Sequence, residues 1–192
     1  TSRQGIVHVV SPEQGIALPG ITYICPDSHT CSLGALGALA WGVGSSECEH
    51  ALATNTLIKK KPKSMLVSIN GIPKDGVTSK DIILHLISKY GANGANGHAI
   101  EFRGKTIDEM SIESRLTLCN MAVEFGAMTG IISPDKKTID YISGKPFAPK
   151  DEEQKLAEDY WTKLKSDDDA HFSKVIEVDA SKLNTYVTWG TI

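Results

Sequence analysis

"SMLVSINGIPKDGVTSKDIILHLISKYGANGANGHAIEFRG", residues 64–104, contains the pattern that decides the fold. Residues 64–71 alternate apolar and polar side chains, which is typical of a β-strand. Thr78 and Asp81 form a capping box that opens an amphipathic helix, and this helix ends near Gly91. A turn-rich loop, "ANGANGH", and a second strand, "HAIEFRG", follow. A strand, a helix and a further strand in succession predict an α/β fold with parallel pairing.

The same alternation continues on both sides of this stretch. "GIVHVV" (5–10) and "GITYIC" (20–25) are short β-branched runs bounded by glycine or proline, so both are predicted to be strands. Two more strands are predicted, "TGIISPD" (129–135) and "SKVIEVDA" (173–180), the second at a sheet edge. Helices are predicted from near Ser32, over 46–58 with Ser45 or Ser46 as the cap, over 111–127 and over 150–166. The fold class is therefore layered α/β/α with mainly parallel sheets.

A break in the pattern at Pro62 suggests how the chain is divided. Residues 1–62 are predicted to be the C-terminal part of a first α/β domain, and residues 63–147 a second one. Residues 148–192 are predicted to lead from there into a third domain.

Composition and charge exclude several classes of function. The chain has 192 residues, 41% of them hydrophobic, a net charge of -3 and a pI near 6.0, so we expect a globular protein without affinity for nucleic acid or an anionic membrane. The basic cluster at 59–63 surrounds Pro62 and is interpreted as a solvated linker. No apolar run reaches the roughly 18–20 residues that cross a bilayer. The four cysteines of the chain show no Cys-x-x-Cys spacing, which indicates reduced thiols and a cytoplasmic location.

The segment "PDSHT" (26–30) is the strongest candidate site. It follows a predicted strand and precedes a helix, so Asp27, Ser28 and His29 lie at the carboxyl end of a strand, where α/β proteins build their sites. A helix N-terminus beside them favours the binding of a substrate carboxylate or phosphate. Taken alone, the segment favours the simpler interpretation of an Asp cap with an exposed histidine.

Three familiar sites fit these residues poorly. Ser28 and His29 are neighbours that point apart on an extended backbone, and G-x-S-x-G is absent, which argues against a serine hydrolase. The glycines at 34, 37, 42 and 44 do not give the dinucleotide fingerprint. The spacing of Cys25, His29 and Cys31, with Cys48 or His50, matches no common structural zinc site.

The predicted fold places other polar residues near this loop. His8, on the predicted strand 5–10, needs a partner such as Asp27. Asn120 and Glu124 are four residues apart on a predicted helix and share one face, which is either surface or the wall of a site.

A set of motifs resembles a known family. "RQGIVHVVSPEQGIALPG", "DSHT", "GALGALAWGVGSSECEHALATNTL", "GHAIEFRG", "LTLCNMAVEFGA" and "VTWGT" occur in this order along nearly the whole chain. They resemble the large subunits of 3-isopropylmalate dehydratases, in the aconitase superfamily. Homoaconitase and other 2-hydroxy-acid dehydratases are related alternatives, since Pro26 replaces the usual glycine before Asp-Ser-His and Cys31 and Ser32 fill a variable pair.

The resemblance implies a hydro-lyase that isomerises 2-isopropylmalate and 3-isopropylmalate, in leucine biosynthesis, through an alkene intermediate. Such enzymes use a 4Fe-4S cluster as a Lewis acid. The resemblance implies two catalytic pairs, His8 with Asp27 and His29 with Glu124. It also implies that Ser28 binds a substrate carboxylate and that Asn120 orients the cluster.

The family's cluster cysteines are missing from this sequence. They occur in Ser-Cys-Thr-Asn and Cys-x-x-Cys contexts, and neither is present here. A small subunit supplies the base in these dehydratases. We therefore interpret the chain as an internal piece with half of a site, able to self-associate through its cut edges. The competing interpretation is a non-catalytic, truncated paralogue that acts as an assembly module.

We predict that the 192-residue chain alone binds no cluster and has no isomerase activity, because the family's ligand motifs are absent. Iron and acid-labile sulfide analysis after anaerobic reconstitution is the measurement. Stoichiometric iron and sulfide on the purified chain would contradict this prediction.

Overall fold

The computed structural model describes residues 4–190. The N-terminal half contains α1 (Val7–Gln14), β1 (Thr22–Cys25), a 3₁₀ helix (Thr30–Leu36), β2 (Leu39–Gly42), α2 (Ser45–Thr54), β3 (Lys63–Asn70) and α3 (Ser79–Tyr90). The remainder contains β4 (His98–Arg103), α4 (Lys105–Glu109), α5 (Ile112–Asn120), β5 (Thr129–Ile131), α6 (Lys136–Ile142), α7 (Asp151–Trp161), β6 (Lys174–Asp179) and a second 3₁₀ turn (Ala180–Lys182). No helix within residues 4–190 combines the length and apolar character needed to cross a membrane.

The strands form two parallel sheets. β1 pairs with β2, and the larger sheet has the order β5-β4-β3-β6, so β3 is central and β6 lies at an edge. Every strand pair in both sheets is parallel. These observations confirm the predicted α/β class, the parallel pairing and the edge position of the strand at 173–180.

The β3-α3-β4 unit forms as its sequence predicts. The Asp81 carboxylate accepts hydrogen bonds from the Thr78 backbone N–H and hydroxyl, both at 2.7 Å, and so satisfies donors at the start of α3. Gly91 ends the helix with a φ of 78°. Alternate side chains of β3, among them Met65, Val67 and Ile69, are fully buried.

One apolar cluster joins the larger sheet to its helices. It includes residues from β3, β4, β6, α3 and α5, and reaches Ala35 in the first 3₁₀ helix. Each large aliphatic side chain buried there contributes roughly 1.5–3 kcal/mol. A second cluster, around Leu33, Leu36 and Ile112, fixes the 3₁₀ helix to the start of α5.

Two glycines bring the 3₁₀ helix into direct contact with β5. A Cβ atom on Gly34 would lie 1.8 Å from the Gly130 carbonyl oxygen, so the two backbones touch. The Ile132 N–H donates to the Gly34 carbonyl at 3.0 Å. This contact fixes the β1-β2 unit against the larger sheet.

The prediction of a strand over residues 5–10 is wrong, because residues 7–10 belong to α1. Only Ser11 and Pro12 of that helix are buried, and Val9 is 47% exposed. The burial that orients the segment therefore comes from residues beyond the β-branched run. Gly15, with a φ of 72°, ends the helix.

Other helix boundaries also differ from those predicted. The helix expected from near Ser32 is a 3₁₀ helix that starts at Thr30 and ends where Gly37 adopts a φ of 79°, and strand β2 follows it. α2 stops at Thr54 rather than near 58, since Asn55 is left-handed, and Glu47 accepts from the Gly44 N–H in place of a serine cap. The sequence reasoning missed α4 and α6. It extended α5 to Gly126, although residues 121–126 form turns.

The larger sheet combines two of the predicted segments. β6, from the segment 148–192, pairs with β3 over Met65↔Lys174 to Asn70↔Asp179. The domain boundaries themselves stay a prediction.

A buried ion pair ties α5 to the start of α6. Arg115 is 1% exposed, and its Nη2 donates to Asp135 Oδ2 at 2.6 Å and to the Asp108 carbonyl at 3.2 Å. Burial alone would raise the pKa of Asp135, but hydrogen bonds from Arg115 and Thr138, with the Arg115 charge, hold it below its ordinary value. The carboxylate thus compensates a charge that cannot reach water.

We predict that Asp135→Asn destabilises the chain by about 3 kcal/mol, because it leaves the buried Arg115 charge uncompensated while keeping an oxygen that can cap α6. Urea unfolding followed by circular dichroism measures the change. Arg115→Met should cost less, since the Asp135 side chain, 36% exposed, can be solvated. As a control, Asp140→Asn in the exposed Lys136 pair should change stability by less than about 0.5 kcal/mol. Equal losses in Asp135→Asn and Asp140→Asn would contradict this account.

Candidate active site

The loop between β1 and the 3₁₀ helix is fixed by hydrogen bonds between its own side chains and backbone. The Asp27 carbonyl accepts from the Thr30 hydroxyl at 2.7 Å, and Asp27 Oδ1 accepts from the His29 N–H at 2.8 Å. A Cβ on Gly42 would lie 2.4 Å from the Asp27 carbonyl oxygen, so the loop packs directly on β2. Asp27, Ser28 and His29 therefore have a fixed position at the carboxyl end of β1.

His8 and Asp27 lie together, as the sequence suggests, although His8 lies on a different element from the one expected. His8 is on α1 rather than on a strand, and its Nε2 is 3.7 Å from Asp27 Oδ1. Its Nδ1 is buried and has no partner among the described residues. The two side chains are 21% and 31% exposed, so the pair borders solvent and can contact a ligand.

His29 and Glu124 form the second pair. His29 Nε2 lies 2.6 Å from Glu124 Oε1, and the side chains are 33% and 39% exposed. Glu124 lies in the turns after α5, so the argument that it shares a helix face with Asn120 is wrong. The rings of His8 and His29 are 6.3 Å apart, centroid to centroid, at 77°. Both pairs therefore meet at one place on the surface.

Ser28 contacts the histidine that follows it. Ser28 Oγ lies 2.9 Å from His29 Nδ1, so the expectation that these side chains point apart is wrong. The expectation assumed an extended backbone, whereas His29 has a φ of -98° and a ψ of 18°. The histidine presents Nδ1 to the serine and Nε2 to the carboxylate, the reverse of the serine protease arrangement.

Asn120 supports the loop from below. Its Nδ2 donates to Ser32 Oγ at 2.8 Å, and the Ser32 hydroxyl donates to the His29 carbonyl at 2.6 Å. The Cys31 thiol donates to the Asn120 carbonyl at 3.4 Å. Sequence reasoning named Ser32 only as the start of a helix and as one of a variable pair, and it missed this link, because nothing in the local pattern connects residues so far apart in the chain.

The cysteines near the site do not fit as metal ligands. Burial, with the Glu124 charge, raises the pKa of the Cys31 thiol to about 12, and burial raises the pKa of Cys119 well above its ordinary value. Metals bind the thiolate form, which both environments disfavour. Within residues 4–190, no group of three or more His, Cys, Asp or Glu residues is placed to hold a metal ion.

A shallow hollow of about 560 Å³ lies next to the loop. It is lined by residues of the loop and of α2, namely Pro26, Ser45, Cys48, Glu49, Leu52 and Ala53. No residue of α2 is buried, and Leu52 is 82% exposed. The site is therefore open on the α2 side, and its four ionisable side chains face a surface rather than a closed chamber.

Comparison with known proteins agrees with these motifs. The sequence profile of the aconitase family (aconitate hydratase) matches residues 1–192. The chain belongs to the aconitase family. It is 53% identical over 190 residues to the 3-isopropylmalate dehydratase large subunit of Psychrobacter cryohalolentis, and 52% identical to that of Psychrobacter arcticus. Each match covers 99% of this chain and 40% of the relative, so the chain spans less than half the length of these curated relatives.

We predict that Cys31 and Cys119 resist alkylation in the native chain, whereas the partly exposed Cys25 and Cys48 react. With a pKa of about 12, only about one Cys31 thiol in ten thousand is ionised at pH 8. Iodoacetamide labelling followed by peptide mass spectrometry reports each position. All four should react in urea, which is the control. Native labelling of Cys31 as fast as that of Cys48 would show that the buried contact with Asn120 is absent.

Proposed function

We propose that this chain is part of a hydro-lyase that interconverts 2-isopropylmalate and 3-isopropylmalate by dehydration and rehydration, in leucine biosynthesis. The observation that carries the proposal is the meeting of two histidine–carboxylate pairs, with their rings 6.3 Å apart. The 52–53% identity to proteins named as large subunits of this dehydratase supports the choice of substrate.

The reaction explains why such pairs are needed. Dehydration removes a hydroxyl from one carbon and a proton from its neighbour, and hydroxide is a poor leaving group unless it is protonated as it departs. An imidazolium beside a carboxylate is stabilised and held in one orientation, so it can deliver that proton. Rehydration at the other carbon uses the same group in the opposite direction.

The two pairs are proposed to have related roles. His29, hydrogen-bonded to Glu124, lies beside Ser28 and would exchange the proton at the hydroxyl or water. His8 borders the same surface, and Asp27 is fixed by the His29 N–H in a position to stabilise its imidazolium. Ser28 would bind a substrate carboxylate.

The two buried cysteines of this chain do not fit as ligands of the cofactor of this family. Enzymes of the aconitase family generally use a 4Fe-4S cluster. Cys31 and Cys119 are buried as protonated thiols, so they do not fit as its ligands. We propose that the cluster ligands lie outside this chain and that Asn120 orients the cluster or its ligands by hydrogen bonding. A small subunit, as the relatives' name implies, would supply the base that removes the substrate proton.

The sequence of the encoding gene distinguishes this proposal from the alternative of a non-catalytic module. A reading frame that continues past Ile192 into Ser-Cys-Thr-Asn and Cys-x-x-Cys segments would support the enzyme. A stop codon at that point would favour the module. The cytoplasmic location and self-association also stay predictions.

We predict that Glu124→Gln and Asp27→Asn each lower kcat by about 10²–10⁴ in the complete gene product assembled with its small subunit, because each removes the charge that supports an imidazolium acid. NMR of the interconversion of 2- and 3-isopropylmalate measures the rate. Glu152→Gln, an exposed acid in the first turn of α7, is the matched control and should leave kcat unchanged. Wild-type kcat in both site variants would remove the basis of the proposal.

A further inference from the structure

The hydrogen bonds around His29 determine where the Ser28 hydroxyl proton goes. An ionised carboxylate only accepts hydrogen bonds, so the contact of 2.6 Å with Glu124 places a proton on His29 Nε2. A neutral imidazole carries one ring proton, which leaves Nδ1 as an acceptor. Ser28, 2.9 Å from Nδ1, must then donate its only proton to the ring.

This arrangement conflicts with carboxylate binding by Ser28. A substrate carboxylate also only accepts, and a serine hydroxyl has a single proton to donate. While Ser28 donates to neutral His29, it presents only lone pairs to an incoming carboxylate. The conflict disappears when His29 gains a second proton, because Nδ1–H then donates to the serine oxygen and the hydroxyl proton can turn outward.

We propose that carboxylate binding at Ser28 is linked to protonation of His29. One proton passes from solvent to His29 Nδ1, and the Ser28 O–H turns from the ring to the carboxylate, with no other bond changed. The inference rests on the proposed function, in which Ser28 binds a substrate carboxylate and His29 is an acid. It adds that the substrate carboxylate binds Ser28 when His29 holds both ring protons.

Several other ionisable groups surround the ring. Glu124 at Nε2 favours the imidazolium, and Asp27 accepts from the His29 backbone N–H. The His8 ring, 6.3 Å away, would oppose a second positive charge if it were itself protonated. The Cys31 thiol, near Glu124, stays protonated because its pKa is about 12. His8 is therefore the one of these groups whose titration must be separated from that of His29.

The linkage has a defined sign. Carboxylate affinity is constant at low pH, where His29 already holds both ring protons, and it falls as the pH rises, because each binding event must then take up one proton. By reciprocity, a bound carboxylate holds the second ring proton on His29 more tightly. Simple attraction between the imidazolium and the carboxylate would also depend on pH, so the serine variants are what separate the two explanations.

The test uses ¹⁵N-histidine NMR of the complete gene product, titrated with 2-isopropylmalate from about pH 5 to about pH 9. Without ligand, the His29 shifts should show the neutral Nε2–H form, with Nδ1 accepting. With ligand, the same ring should become doubly protonated at a pH where it was neutral. Ser28→Ala should weaken binding and flatten its pH slope, and Ser28→Thr, which keeps the hydroxyl, should restore both. Ser46→Ala, an exposed serine on α2, is the matched control. His8→Asn should keep the slope.

Each contrary result has a separate meaning. A neutral Nδ1–H form in the free chain, binding without proton uptake, or an unchanged slope in Ser28→Ala would overturn the linkage alone. Loss of the slope in His8→Asn would assign the proton to the other pair and also overturn it. Absence of 2-isopropylmalate binding at every pH would overturn the proposed carboxylate site together with the linkage.

Discussion

The contact between the backbones of Gly34 and Gly130 is the constraint on which the candidate site depends. Nothing larger than hydrogen fits there, so the 3₁₀ helix lies directly on β5. Because α5 packs on the same sheet, this contact also sets the distance between the loop that carries His29 and the turns that carry Glu124. A histidine and an acid nearly a hundred residues apart in the chain are thus placed 2.6 Å from each other by glycine packing rather than by their own attraction.

The hydrogen bonds beneath the loop reinforce that placement without using the ionisable side chains of the two histidine–carboxylate pairs. The Asn120 amide donates to the Ser32 hydroxyl, which donates to the His29 carbonyl, and the Cys31 thiol donates to the Asn120 carbonyl. These partners satisfy buried polar groups that would otherwise cost about 1–3 kcal/mol each. The four ionisable side chains stay partly exposed, and so they can take part in reversible proton exchange while the backbone around them is held rigidly.

Sequence reasoning predicted the parts of the fold that depend on local pattern. The β3-α3-β4 unit has alternating strands and a capping box, and both signals act within a few residues. It failed where distant packing decides the outcome. The strand-like run at 5–10 is helical because Ser11 and Pro12 find a buried position, and α5 ends early because residues 121–126 fold into turns. Asp27 was one possible partner of His8 before the resemblance was considered, whereas the pairing of His29 with Glu124 came from family resemblance alone, since no local spacing indicates it. The contact of Ser28 with His29 was missed because it depends on the backbone angles of the loop.

The parallel pairing of β3 with β6 has a consequence for how the chain is made. β3 leaves the ribosome before its partner at 174–179, which follows more than a hundred residues later. At roughly 5–20 residues per second, one side of β3 lacks its neighbour for several seconds of synthesis. An unpaired strand edge is a template for wrong association. The nascent chain therefore passes through an interval in which chaperone binding would protect the unpaired edge, and this interval ends only when β6 emerges.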